Sequence, residues 1–163
     1  MAILKIDNNN EIYYEYISPK PEGKTFVFVN ALTGSAGAWT GHIGNKIVQE
    51  GNGYLAYNFR GQEKSKFDKD LLLDTEVIVS DLVRLINFLN LNNLILVGLS
   101  IGGLYAALAL DKGVKSKGLV LINTLRKNSS RLRWINKTMV NVARYGGTSL
   151  LMDFNMPVIA SPS

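Results

Sequence analysis

Gly98-Leu99-Ser100-Ile101-Gly102 sets a serine between two glycines, one two residues before it and one two residues after it. That spacing suits acyl transfer when a strand runs into it and a helix leaves it, because the serine oxygen then stands exposed at a sharp turn. Side chains at positions 98 and 102 would collide as strand and helix close on each other, which calls for glycine at both. The helix that follows aims its first N–H groups and positive dipole end at any negative oxygen forming there. By itself the pentapeptide also fits a plain tight turn in a parallel sheet.

A serine hydroxyl needs a general base, and the base needs a group to orient it. The only histidine is His42, and nothing near it in sequence supplies that geometry, so it reads as a helix-surface residue. Asp111 and Asp153 are available carboxylates with no histidine to orient. There is no cysteine, which excludes a thiol nucleophile, disulfides and thiolate metal sites. No metal or cofactor is expected.

The elements around the serine decide between the two readings of the turn. Leu85–Leu110 is uncharged, but a membrane span needs about 20 apolar residues, and this stretch is broken by Asn87, Asn90, Asn92 and Asn93. It divides better into helix end, loop, strand (Leu94–Gly98), turn, and helix (Ile101–Asp111). "EIYYEYI" (Glu11–Ile17) suits an edge strand. "TFVFVN" (Thr25–Asn30), "YLAYNF" (Tyr54–Phe59) and "GLVLIN" (Gly118–Asn123) are short apolar runs of the buried-strand type. Helices are expected over Trp39–Gln49 and over Thr75–Leu89, the second capped by Asp74 with Val77, Ile78, Leu82, Leu85, Ile86 and Leu89 at helical spacing. Strands alternating with helices predict an α/β fold, a mostly parallel sheet covered on both faces.

After Thr124 the pattern changes. "SSRLRWINKTMVNVARYGG" reads as a cationic amphipathic helix, capped by Ser129 or Ser130 and stopped by Gly146. Leu132, Ile135, Met139 and Val142 form its apolar stripe. Residues 111–163 hold nine Lys or Arg against two acids, whereas residues 1–110 hold nine against eleven. The basic excess has no aromatic interleaving and no nucleic-acid motif beside it, so nucleic acid is not an expected partner. A dinucleotide loop is excluded at "TGSAGAWTG", where Ala38 and Thr40 stand in place of the required glycines. The start of the chain lacks the charged and apolar regions of a signal peptide, which makes the cytoplasm the expected location.

Four segments in order resemble the α/β-hydrolase family. "TFVFVN" with "ALTGSAGAW" is similar to its third strand and oxyanion loop, and "YNFRGQEKS" to its D-x-R-G-x-G-x-S segment. "LILVGLSIGG" resembles its nucleophile elbow, and "GLVLINT" the strand leading to a cap. The resemblance implies the first six strands of a hydrolase core over residues 1–125 and the start of a helical cap over 126–163. It implies Ser100 as nucleophile, Gly98 and Gly102 as elbow glycines, and the Leu32 and Ile101 N–H groups as the oxyanion hole. The implied substrate is a small molecule with an ester or related acyl bond; an acyltransferase or a non-catalytic binding protein could use the same fold.

The chain departs from the family in three places. His-Gly after the third strand is Asn30-Ala31, and Asn123 stands where some relatives carry an acid. The catalytic acid and histidine, which follow later strands in the family, are not expected among these 163 residues.

Overall fold

The computed structural model describes residues 1–124 and 129–159. The chain divides into two units, Met1–Leu125 and Arg126–Ser163. The first unit holds a six-stranded sheet: β1 (Ala2–Lys5), β2 (Glu11–Ile17), β3 (Thr25–Val29), β4 (Gly53–Tyr57), β5 (Leu94–Leu99) and β6 (Gly118–Ile122). Their order across the sheet is β1-β2-β4-β3-β5-β6. β1 pairs with β2, and β2 with β4, antiparallel; β4, β3, β5 and β6 run parallel. This is the expected α/β sheet with an antiparallel edge.

The apolar runs of β3 and β4 follow from burial on both faces, since successive side chains of a strand point to opposite sides. Val27, Val29, Leu55 and Tyr57 pack on one face with α3 (Thr75–Phe88) and α4 (Ile101–Asp111). Phe28, Tyr54 and Ala56 pack on the other with Trp39 of α1 (Gly37–Thr40), beside α2 (His42–Gln49). The single helix expected over Trp39–Gln49 is therefore two, broken at Gly41, whose ψ of −115° is not helical.

In α3 the expected cap is present: Asp74 Oδ1 accepts the Val77 N–H at 2.9 Å. Ile78, Leu82, Leu85 and Ile86 are buried as expected, but so are Val79 and Asp81. β6 is the outermost strand on its side, and Val120, Leu121 and Ile122 are exposed.

In the second unit, α5 (Ser130–Ile159) is capped by Ser129, whose Oγ accepts the Leu132 N–H at 3.1 Å. The helix does not stop at Gly146. It continues beyond an interruption at Gly147, where φ is 71° and ψ −173°, a conformation that glycine adopts freely. Among the described residues no helix is long and apolar enough to cross a membrane.

Candidate active site

β5 ends at Leu99 and α4 begins at Ile101, so Ser100 alone makes the turn between them. It is exposed, with φ 55° and ψ −123°. A non-glycine residue in that region costs about 1–3 kcal/mol and persists only where its surroundings enforce it. The enforcement is visible. The Ser100 N–H donates to the Ile122 carbonyl at 2.9 Å, and the Ser100 carbonyl accepts the Gly103 N–H at 3.1 Å.

The two elbow glycines answer to different neighbours. A Cβ on Gly98 would strike the backbone of Gly103, where the helix folds back over the strand. A Cβ on Gly102 would strike the carbonyls of Val29 and Asn30, at the end of the adjacent strand β3. Gly102 thus lets the first turn of α4 seat against the segment that leads to Leu32. Ile101, as first residue of α4, has no carbonyl one turn back within the helix for its N–H.

Leu32 lies in the loop after β3 and is 69% exposed. Three side chains, Asn30 at the start of the loop and Asn58 and Gln62 from the segment after β4, hold that loop in place. Asn30, buried, donates through Nδ2 to the Tyr57 carbonyl at 2.7 Å and accepts the Trp39 indole N–H at 2.7 Å. Asn58 Oδ1 accepts the Ala36 N–H at 2.7 Å, and its amide donates to the Glu63 carbonyl. Gln62 Nε2 donates to the carbonyls of Ala31 at 3.1 Å and Leu32 at 2.9 Å. Asn30 in the family's histidine position therefore leaves the loop fastened, because its amide satisfies both a donor and an acceptor.

Beneath this network Arg60 and Asp81 form a buried bidentate pair, Nε–Oδ2 at 2.7 Å and Nη2–Oδ1 at 2.6 Å. It ties the same segment to α3 and explains the buried acid in that helix. Nearby, burial first and the Asp81 charge second push the Tyr57 hydroxyl well above its usual pKa.

None of the remaining candidates has a hydrogen bond to Ser100 among the described residues. His42 is the first residue of α2 and exposed. Asp111 ends α4, exposed, and Asn123 follows β6 with φ 49°. Asp153 is exposed on α5, in the second unit. The Ser100 hydroxyl has no side-chain cap bond. Among the described residues no group of three His, Cys, Asp or Glu could hold a metal.

Sequence reading missed the fastening residues Asn58, Gln62 and Trp39. Two asparagines directly after buried strands, Asn30 and Asn58, were the available signal, since a polar residue at such a site needs partners.

A strand, a one-residue strained turn and a helix, beside a fastened loop after the neighbouring strand, match a known design. The sequence profile described as alpha/beta hydrolase fold matches residues 24–149. The chain belongs to the alpha/beta hydrolase fold family. Solved hydrolase-fold structures agree. A carboxylesterase structure from the ammonia-oxidizing thaumarchaeon Nitrososphaera gargenis superposes with a TM-score of 0.84 at 21% identity, over 99% of this chain and 60% of that one. MGS-M2, an alpha/beta hydrolase from a Medee basin deep-sea metagenome library, gives 0.84 at 23% identity, over 99% and 58%. A bromoperoxidase from Bacillus anthracis gives 0.80 at 24%, over 94% and 58%. The chain thus spans about 60% of the length of these hydrolase-fold neighbours. No curated protein sequence matches it significantly.

Proposed function

We propose that residues 1–163 carry the nucleophile and oxyanion-binding part of a serine hydrolase acting on an ester or related acyl bond of a small molecule. Ser100 Oγ attacks the acyl carbon and forms a new C–O bond while its proton passes to a base. The alkoxide leaves with a proton, and water then breaks the acyl–serine bond to release the acid. The N–H groups of Leu32 and Ile101 take the negative charge of the tetrahedral intermediates. One observation carries this reading: Ser100 holds φ 55°, ψ −123° at an exposed turn between β5 and α4. A merely structural turn would place glycine there at lower cost.

The base and its carboxylate are assigned to a segment outside these residues. His42 is the only histidine, exposed at the start of α2, and supports no triad with Ser100. Residues 126–163 are the start of a helical cap segment. Without the base, turnover by the 163 residues alone falls by roughly 10⁶, as in triad knockouts of another serine hydrolase. That same lone histidine favours a second reading, a non-catalytic binding protein with the hydrolase fold. An acyltransferase using this elbow would differ only in the acceptor, an alcohol in place of water.

Fluorophosphonate labelling separates the readings. Oxyanion stabilisation survives loss of the triad and retains about 10³–10⁴-fold over water. At a pH of about 9, below the ordinary tyrosine range, hydroxide can take the serine proton as the Oγ–P bond forms and fluoride leaves. Intact-mass analysis should find one adduct on the folded chain, on Ser100, and none on Ser100→Ala. A folded chain that stays unlabelled, or an adduct that survives Ser100→Ala, would overturn the nucleophile reading.

A further inference from the structure

Gln62 touches the candidate oxyanion loop at the one place that sets the direction of its donor. The Leu32 N–H and the Ala31 C=O belong to the same peptide unit, and in a trans peptide they point in opposite directions. Whatever fixes the Ala31 oxygen therefore aims the Leu32 hydrogen. Two donors converge on that oxygen: the Gly34 N–H at 3.0 Å and Gln62 Nε2 at 3.1 Å. Nε2 also donates to the next carbonyl, Leu32, at 2.9 Å, so the peptide units on both sides of Leu32 are held by one amide.

That amide is itself locked. Gln62 Oε1 accepts the Phe59 N–H at 2.8 Å and faces Asn30 Nδ2 at 3.4 Å. An acceptor engaged by backbone N–H on one side leaves the NH₂ group no choice but to point at the loop. Hydrogen bonds onto the Ala31 oxygen also polarise the peptide, which strengthens its N–H as a donor. Among the described residues no backbone carbonyl takes the Leu32 N–H, so it remains open for a ligand.

We infer that Gln62 is a positioning residue for oxyanion binding: it acts through the Ala31–Leu32 peptide and never touches the substrate. This rests on the reading of Ser100 as nucleophile and Leu32 as donor. The segment that carries Gln62 thereby has a catalytic consequence as well as a structural one. Its neighbours Asn58 and Arg60 make no bond to either carbonyl of this peptide pair.

Gln62→Glu tests this directly, since it keeps an oxygen for the Phe59 N–H and replaces the donor NH₂ with a second oxygen facing two carbonyls. The control is Ser65→Ala, which removes the Ser65 Oγ bonds to Tyr13 N–H and Asn58 C=O in the same segment without reaching the loop. Two readouts on the 163-residue chain are compared: the rate of fluorophosphonate capture by Ser100, and amide hydrogen exchange of residues 31–36 against that of β3 and β5. Loss of one oxyanion donor costs about 10²–10³ in rate, so a misaimed donor should slow capture by about tenfold to a hundredfold. Exchange should rise in residues 31–36 and stay unchanged in the strands. Ser65→Ala should leave both readouts near wild type even where it lowers the melting temperature.

Capture by Gln62→Glu at the wild-type rate, with wild type labelled on Ser100, overturns the role of Gln62 and leaves the nucleophile reading intact. Equal slowing by Ser65→Ala also overturns it, because the effect would then be loss of general stability. Failure of folded wild type to label overturns both readings, and unchanged exchange in Gln62→Glu separately removes the tether.

Discussion

Ser100 and Ile122 are joined by one hydrogen bond, N–H to carbonyl at 2.9 Å, which carries the β5–β6 ladder one residue beyond the Leu99–Ile122 pair and into the turn. The chain must therefore reverse immediately after a fixed amide. The Gly103 N–H closes on the Ser100 carbonyl from the other side. Between these two anchors Ser100 holds φ 55°, ψ −123°. The strain belongs to the serine because the ladder and the helix start on either side of it are both fully formed.

Because of that strain, Ser100→Gly should be more stable than Ser100→Ala. Alanine keeps the Cβ and its penalty, whereas glycine visits this region freely. The expected gap is about 1 kcal/mol, the 1–3 kcal/mol of relieved strain less the extra unfolded-state entropy of glycine. Urea unfolding of the two variants measures it. Equal midpoints would show that the turn is unstrained.

Gly102→Ala should disrupt the contact between α4 and the end of β3, because the new methyl meets the carbonyls of Val29 and Asn30. The Val29 carbonyl cannot withdraw, since β3 is an interior strand paired on both sides. Overpacking of this kind costs about 1–3 kcal/mol, and more where backbone must shift. Thermal unfolding should register the loss. Gly113→Ala differs in kind: it lies in open space with φ 91°, so its penalty is conformational alone and leaves hydrogen exchange at β3 unchanged.

The buried Arg60–Asp81 pair predicts a coupled loss. Removing one partner strands the other charge at 4–8% exposure, which typically costs about 3–5 kcal/mol. Arg60→Met and Asp81→Leu should each be strongly destabilising, and the double variant should fall well short of their sum. A double-mutant cycle in denaturant reads this directly; strict additivity would mean that the two groups do not act as a pair.

The sheet and the elbow were legible because their signals are local. Continuous apolar runs mark β3, β4, β5 and β6, and a Gly-x-Ser-x-Gly between strand and helix marks the turn. β1 was not legible: it is four residues long and only Leu4 is buried, too little for a pattern. The break at Gly41 was hidden because the helical residues on both sides read continuously. The burial of Asp81 in α3 was not legible, since its partner Arg60 lies 21 positions away in sequence. Gln62 carried no signal, because its partners are backbone carbonyls that only the fold brings within reach.

Tyr13 is one of the groups that should link alkaline pH to unfolding. Its hydroxyl donates to Glu15 at 2.8 Å, and its pKa is pushed up to about 12, by burial first and by the bond to Glu15 second. In the unfolded chain tyrosine ionises near 10. The folded-state pKa is the higher one, so the folded chain holds the proton more tightly. The stabilisation is thus fully present below about pH 10 and is lost as pH rises through about 12. Tyr57, buried and pushed well above its usual value, adds to the same limb with the same sign. Stability should therefore fall steeply with pH across that window, with tyrosinate absorbance appearing together with loss of helical circular dichroism. Tyr13→Phe removes one of the protons released on unfolding and should flatten the dependence there, whatever it does to stability at neutral pH. Parallel pH curves for wild type and Tyr13→Phe would show that Tyr13 ionises freely in the folded chain, and would remove it as a group that links alkaline pH to unfolding.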